Sequence, residues 1–175
     1  MSLLSEEELA AFAGVAASHP RLGAALVLSE VLVAAWIGAE ELGRRELSWE
    51  LSVPRFRRTL ELPQGPASEL LSVSEEGEAL AVEDFALRPW SLARPDGFRP
   101  GRSFQITATL GWARDEEPPL PGPLRQALLL TAAERLERPP SRLLSERLGD
   151  HAVTYAPPDA LPAEVAALLQ PWRRP

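Results

Sequence analysis

The sequence predicts an α+β protein: a small helical bundle around a central helix, with an inserted small antiparallel β-sheet or hairpin. Three observations indicate this class. A proline-led apolar stretch at residues 123–138 is typical of a buried core helix. Apolar residues at helical spacing occur near both ends of the chain, whereas residues 47–113 alternate between apolar and polar. We expect a single domain over residues 1–175, because a chain of this length buries roughly 70% of its unfolded surface.

Residues 1–46 are predicted to form two helices. Ser5, with Glu8 three residues later, is a capping box that starts a short helix through about Ala17. A second helix is predicted from about Arg21 to Glu41. Because this helix is apolar nearly all round, we expect it to pack beside the central helix.

The inserted segment, residues 47–113, is predicted to form antiparallel strands joined by turns. Its clearest alternation runs from Ser103 to Trp112. Residues 55–62 alternate as well, with Phe56, Leu60 and Leu62 on one face. The remaining predictions are strands at 70–74 and 79–87, a hairpin tip at 75–78 and a turn at Arg94–Gly97.

The central helix, 123–138, has natural limits in the sequence. Pro123 suits a first helical position because the amide hydrogen that proline lacks has no partner within the helix. Pro139-Pro140 cannot continue a helix, so the pattern stops there. The apolar residues between these limits cover well over a third of the circumference, which predicts burial on more than one side.

The C-terminal segment, residues 150–175, is predicted to start with a short extended piece at Asp150–Tyr155. A last helix follows, starting at Pro157-Pro158-Asp159. Its apolar residues recur at spacings of one helical face, and they are Leu161, Val165, Leu168, Leu169 and Trp172.

Composition and charge narrow the classes of function. The net charge of −7 argues against a general nucleic-acid binder, which normally has a basic patch and a high pI. All 18 basic residues are Arg, and Lys and Asn are absent, which indicates a GC-rich genome and also suits a thermophile. The N-terminus has acids where a signal peptide needs positive charge, and Leu22–Ile37 is shorter than the about 20 apolar residues of a membrane span. We therefore expect a soluble, intracellular protein.

Residues that carry catalytic chemistry are sparse. The two histidines, His19 and His151, are isolated, there is no cysteine, and no phosphate-binding glycine motif is present. His151 next to Asp150 suggests a triad only on paper, because neighbouring strand residues point to opposite faces. We therefore predict no catalytic, metal-binding or cofactor-binding residues, and no cofactor.

Two charged features are candidates for contacts. Arg55, Arg57 and Arg58 form the one tight basic cluster in the sequence. We favour an exposed strand face paired with acids, and phosphate or subunit contact is the alternative. Glu30, in the middle of an apolar helix, is better explained by an edge or subunit contact than by catalysis.

Several motifs, taken in order, resemble one protein family. They are Leu60-Glu61-Leu62-Pro63-Gln64-Gly65-Pro66, Thr109-Leu110-Gly111-Trp112, Leu124-Arg125-Gln126-Ala127-Leu128-Leu129-Leu130 and Leu168-Leu169-Gln170-Pro171-Trp172-Arg173. This order, over roughly residues 5–174, resembles the head–tail connector, or head-completion adaptor, family of long-tailed bacteriophages. The sequence departs from the family pattern at Leu110 and in a longer segment between Leu87 and Ser103.

The resemblance implies a structural virion protein, not an enzyme. It implies a homo-oligomeric ring of about twelve copies beneath the portal protein. Such a ring extends the channel, through which double-stranded DNA passes without sequence-specific binding, and offers a surface to a stopper or tail protein. The implied location is the virion head–tail junction, after assembly in the host cytoplasm. Because the chains are acidic, we expect a negative channel lining that repels phosphates.

The resemblance also implies that the C-terminal segment helps to dock the protein on the portal. Trp and Arg are enriched among interface anchors, so the last helix suits this role, and packing on its own core is the alternative. The residues expected at this portal interface are Leu161, Val165, Leu168, Leu169, Trp172, Arg173 and Arg174. The stretches 88–102 and 114–122, rich in Pro, Gly and charge, are expected to be loops that become ordered on assembly.

Two other functions stay open at this point. One is a non-phage intracellular adaptor or regulatory protein that binds a partner through its C-terminal helix. The other, more remote, is a small hydrolase that uses His151.

Overall fold

The computed structural model describes residues 2–137, 145–148, 151–154 and 161–174. In 145–148 and 151–154 it describes the backbone alone. The chain divides into two compact units. Unit 1 holds residues 1–3, 34–121 and 172–175, and unit 2 holds residues 4–33 and 122–171. The division into two units does not test whether residues 1–175 form a single domain, which stays a prediction.

The described part of the chain contains four α-helices and nine strands, which confirms the α+β class. The helices are α1 (Glu6–Ala13), α2 (Leu22–Ile37), α3 (Gly122–Glu137) and α4 (Ala163–Leu169). The strands are β1 (Arg45–Ser52), β2 (Arg57–Glu61), β3 (Ala67–Glu75), β4 (Glu78–Leu80), β5 (Ala86–Arg88), β6 (Ser91–Phe98), β7 (Ser103–Leu110), β8 (Ser145–Leu148) and β9 (His151–Thr154).

Unit 1 is built on two antiparallel sheets. The larger sheet has the order β1-β7-β3-β4, and the smaller has the order β2-β6-β5. β7 is the interior strand with the longest pairing, facing β1 from Arg45↔Leu110 to Ser52↔Ser103. Alternation places Phe104, Ile106 and Ala108 on its buried face, as the sequence predicts.

The core of unit 1 joins both sheets. Phe98 from β6 packs edge-on against Phe104 from β7, with ring centroids 5.1 Å apart. Both rings are fully buried, and so are the aliphatic side chains around them. The other buried members of this cluster are Val53, Leu60, Leu62, Ala67, Val73, Leu92, Ile106 and Leu110.

Unit 2 is mainly helical. Ser5 caps α1 by accepting a hydrogen bond from the amide of Glu8, as the capping box predicts. α3 contacts both α1 and α4, and it buries Leu124 and Leu128 completely. An exposed ion pair joins Arg125 of α3 to Glu8 of α1. The predicted core helix is therefore present, although its last predicted residue lies outside the described residues.

α2 runs over Leu22–Ile37, within the range predicted from about Arg21 to Glu41. The sequence predicts that this helix packs beside the central helix, and that stays a prediction. Val27, Leu28 and Val31 are exposed, as is Ala24. These residues recur at helical spacing and form one apolar exposed face. None of the described helices is long and apolar enough to cross a membrane.

Three predictions in the inserted segment are wrong. Residues 79–87 are not one strand, because the 3-10 turn Val82–Asp84 separates β4 from β5. Arg94–Gly97 is not a turn but part of β6, where the pairing with β2 shifts register between Arg57 and Thr59. Residues 88–102 are therefore not one loop. Phe56 is not in the core, because it precedes β2 and its ring lies over the backbone of Gly97.

The C-terminal predictions are only partly described. The predicted extended piece coincides with β9, which pairs with β8 in a two-stranded hairpin. The last helix begins at Ala163, after Pro162, and not at Pro157, which lies outside the described residues.

Candidate assembly surfaces

The C-terminal tail, residues 172–174, is held in unit 1 by tryptophans. The indole of Trp172 packs edge-on against Trp112, with ring centroids 5.6 Å apart. The Nε1–H of Trp90 donates a hydrogen bond of 2.6 Å to the carbonyl oxygen of Trp172. The tail is therefore fixed by its backbone as well as by its aromatic ring.

The two tail arginines stack on further tryptophans. The guanidinium of Arg173 lies 5.2 Å from the ring centroid of Trp36, and that of Arg174 lies 5.6 Å from Trp90. The amide of Arg174 donates to the carbonyl of Ile37 at 2.9 Å. Guanidinium groups over indole rings gain cation–π attraction, so both arginines hold the tail in place.

The sequence does not predict this arrangement of tryptophans. Trp36 and Trp90 are separated in the chain by several strands, and nothing in their local pattern brings them to the tail. Only the composition gives a signal, because five tryptophans in a chain with one tyrosine is an unusual aromatic balance. Four of the five, Trp36, Trp90, Trp112 and Trp172, take part in the tail contacts.

Some residues in the predicted apolar stripe of the last helix are buried in the protein, and others are partly exposed. Val165 and Leu169 are completely buried, and α4 packs on α3. Leu161 and Leu168 are half-buried. Part of the stripe therefore belongs to the protein's own core, and the predicted portal interface for it stays a prediction.

The basic cluster of the sequence extends across two strands. Arg55, Arg58 and Arg99 are exposed, and Arg57 is half-buried. The pairing of Arg57 with Phe98 brings Arg99 to the same end of the small sheet. Within the described residues none of the four makes an ion pair, unlike Arg44 and Arg45, which pair with glutamates. We call Arg55, Arg57, Arg58 and Arg99 the basic edge.

The absence of ion pairs bears on the two sequence interpretations of this cluster. An exposed strand face paired with its own acids does not describe the basic edge. Its exposed charges are free to meet a partner, and the exposed ring of Phe56 lies among them. Glu30 is half-buried in α2, beside the exposed apolar face of that helix.

In the part of the chain that the structure describes, reactive side chains do not gather into a centre. Among the described residues there is no group of three or more His, Asp or Glu that suits a metal ion. His19 accepts a hydrogen bond at Nδ1 from the amide of Arg21, which is a local turn contact. The side chain of His151 lies outside the described residues.

The fold is shared with solved structures. The sequence matches no family model and no curated protein. The chain aligns over 98% of its length with a chain in the neck of an empty gene transfer agent particle, a structure computed with C6 symmetry. That alignment covers 89% of the other chain, with a TM-score of 0.51 and 19% identity. This chain has the fold of a gene transfer agent neck chain.

A second solved structure shares the fold of this chain. A chain in the virion of a native gene transfer agent particle aligns over 98% of this chain and 89% of its own length. The TM-score is 0.53 and the identity is 22%. The resemblance to head–tail connector proteins that the sequence predicts is confirmed for the fold.

Proposed function

We propose that this protein is a structural component of a virion, a head–tail connector that forms a ring beneath the portal protein. The observation that carries the proposal is the shared fold with a neck chain of a gene transfer agent particle, over 98% of this chain. That neck structure was computed with C6 symmetry. Six or twelve copies in a ring satisfy such symmetry, and about twelve is the number implied by the family resemblance.

In this role the protein extends the channel for double-stranded DNA and presents a surface to a stopper or tail protein. It needs no catalytic residue or cofactor for either task, because ring formation and docking are binding events. The site of action is the head–tail junction of the virion, reached after assembly in the host cytoplasm.

The tail contacts support a docking role for the C-terminus. Trp172, Arg173 and Arg174 are side chains of the types enriched at interface hot spots. Arg173 and Arg174 are both exposed although their guanidinium groups stack on tryptophans. We assign portal docking to these three residues. Half-buried Leu161, before α4, and half-buried Leu168, in α4, stay predicted portal contacts of their own.

Native mass spectrometry tests the proposal. The purified chain is measured alone and with the portal protein of the same particle, and a defined high-order ring in either sample supports the connector. A chain that stays monomeric and does not bind the portal protein contradicts the proposed function.

The variant Arg173→Ala/Arg174→Ala tests the assigned docking surface in the same assay. Binding to the portal is expected to weaken about tenfold or more, since such anchors carry much of an interface's affinity. Unchanged portal binding by this variant contradicts the assignment. His151→Ala serves as the comparison and leaves assembly unchanged, whereas a hydrolase that used His151 would lose its activity.

A further inference from the structure

The two outer strands of the small sheet in unit 1 pair with the same residues of its central strand. Its order is β2-β6-β5, so β6 pairs with an outer strand on each side. Thr59 of β2 and Ala86 of β5 both face Ala93, and Glu61 and Arg88 both face Ser91. Residues 59–61 of one outer strand therefore lie level with residues 86–88 of the other.

At each end of these two strands, the charge on β2 is opposite in sign to the charge on β5. At the Ser91 level, β2 carries Glu61 and β5 carries Arg88, and both are exposed. At the other end, β2 begins with Arg57 and Arg58 of the basic edge, whereas β5 is preceded by Glu83 and Asp84. Each outer strand thus presents the charge pattern of the other with its signs exchanged.

The acidic counterpart of the basic edge lies in the 3-10 turn at Val82–Asp84 and in β4. Its carboxylates are exposed, and they make no ion pair within the described residues. We call Glu78, Glu83 and Asp84 the acidic turn. Val82 is 38% exposed within it, as Phe56 is 56% exposed within the basic edge. Each surface therefore combines unpaired charge with one exposed apolar side chain.

We propose that the basic edge of one copy of this chain binds the acidic turn of the next copy, head to tail. With residues 59–61 level with residues 86–88, this contact brings Arg57 and Arg58, at the start of β2, towards Glu83 and Asp84, before β5, and it sets Glu61 opposite Arg88. Such a contact joins two different surfaces of identical chains, and a heterologous contact of this kind generates a ring when the rotation closes. The inference names the subunit interface of the ring proposed above and rests on that proposal.

The overall charge favours a second copy as the occupant. Each chain carries a net charge of −7, so two copies repel through most of their surfaces. A stable contact between copies therefore needs the few unpaired cations to meet acids, which the basic edge supplies. Contact of the basic edge with DNA phosphates would leave the matched acidic turn without a role.

Charge reversal on each surface gives the decisive test. Variant X, Arg57→Glu/Arg58→Glu, places acids at 57 and 58 against the acidic turn, and variant Y, Glu83→Arg/Asp84→Arg, places arginines at 83 and 84 against the basic edge. Each variant alone is expected to assemble about tenfold or more less readily than the wild type, because like charges then face each other. Sedimentation velocity and native mass spectrometry, with and without portal protein, measure the assembly.

Mixing the two variants is expected to restore assembly. Each X–Y contact again sets opposite charges against each other, in alternating order around a ring with an even number of copies. Rescue also shows that X and Y are folded. The control Glu46→Arg/Glu137→Arg changes the net charge as much as Y does, at exposed positions outside both surfaces, and it should assemble like the wild type.

An engineered cross-link tests the same contact without charge reversal. The chain has no cysteine, so Arg58→Cys/Asp84→Cys introduces one thiol on each surface. A short bis-maleimide linker should then give a ladder of covalent oligomers, whereas either single variant stops at the monomer. If the double-cysteine variant forms rings like those of the wild type but gives no covalent ladder, the interface is overturned.

The outcomes separate this inference from the proposed function. Rings that form equally well from wild type, X and Y overturn the interface and leave the connector standing. If X keeps its rings but loses affinity for duplex DNA, the basic edge binds phosphates and the interface is overturned. Rescue in the mixture without any engagement of portal protein supports the interface and overturns the connector. No association in any sample overturns both.

Discussion

Gly111 shows how one residue fixes the path of the chain in unit 1. Its φ is +64°, a conformation that residues with a Cβ rarely adopt. A Cβ here would collide with the carbonyl oxygens of Leu42 and Gly43. This close approach lets the amide of Trp112 donate to Leu42, so the ring of Trp112 reaches the C-terminal tail.

Gly111→Ala is therefore expected to destabilise the protein by about 3 kcal/mol or more, since strain and a backbone clash act together. Gly77→Ala is the matched control, because Gly77 also has a positive φ but has open space around it. The control should lose only about 1 kcal/mol. Urea unfolding monitored by tryptophan fluorescence gives both values. Equal losses would show that the contact with residues 42–43 contributes nothing.

At the scale of elements, the C-terminal tail is held by side chains from several segments of unit 1. The hydrogen bond from Trp90 is the one that fixes the tail backbone at Trp172. A second hydrogen bond joins the guanidinium of Arg174 to the carbonyl of Pro63 at 3.3 Å. The motif around residues 62–66, which carries part of the family resemblance, therefore also contacts the tail.

Trp90→Phe removes the indole donor and keeps an aromatic ring. The free energy of unfolding is expected to fall by about 1–2 kcal/mol more than in a control, because the Trp172 carbonyl loses its partner. Trp49→Phe is that control, since its indole donates no hydrogen bond within the described residues. Thermal and urea unfolding measure both. A smaller loss for Trp90→Phe than for Trp49→Phe would contradict the role of the hydrogen bond.

At the scale of elements, the alternation of apolar and polar residues predicts some strands correctly and others wrongly. Alternation places β7 and its buried face correctly, because an interior strand has one constant environment along its length. The same rule fails at Phe56, where the strand has not yet begun. It fails again at Arg94–Gly97, where Pro and Gly indicate a turn but the pairing with β2 continues after a register shift.

At the scale of the whole molecule, two loops are predicted, and of these the segment 114–122 is a loop in the structure. It contains no helix or strand before α3 begins at Gly122, and it is tied by Arg44, which pairs with Glu116 and donates to the carbonyl of Glu117. Exposed ion pairs of this kind contribute little stability. The segment is therefore suited to a change of contacts on assembly.

Assembly is expected to protect this segment from proteolysis. Limited cleavage with a glutamate-specific protease should cut at Glu116–Glu117 in the unassembled chain and be slowed about tenfold in rings, because a protease needs an exposed, adaptable backbone. Fragment masses before and after ring formation give the result. Equal cleavage rates in both states would show that 114–122 stays outside the assembled interface.

The sequence by itself determined the α+β class and the place of the central helix in the chain. These features depend on local periodicity, on proline positions and on composition, all of which are readable in one dimension. Only the tertiary structure decided that four tryptophans hold the tail and that the outer strands of one sheet carry exchanged charges. Both depend on residues far apart in the chain, and only the pairing of strands brings them together or sets them level.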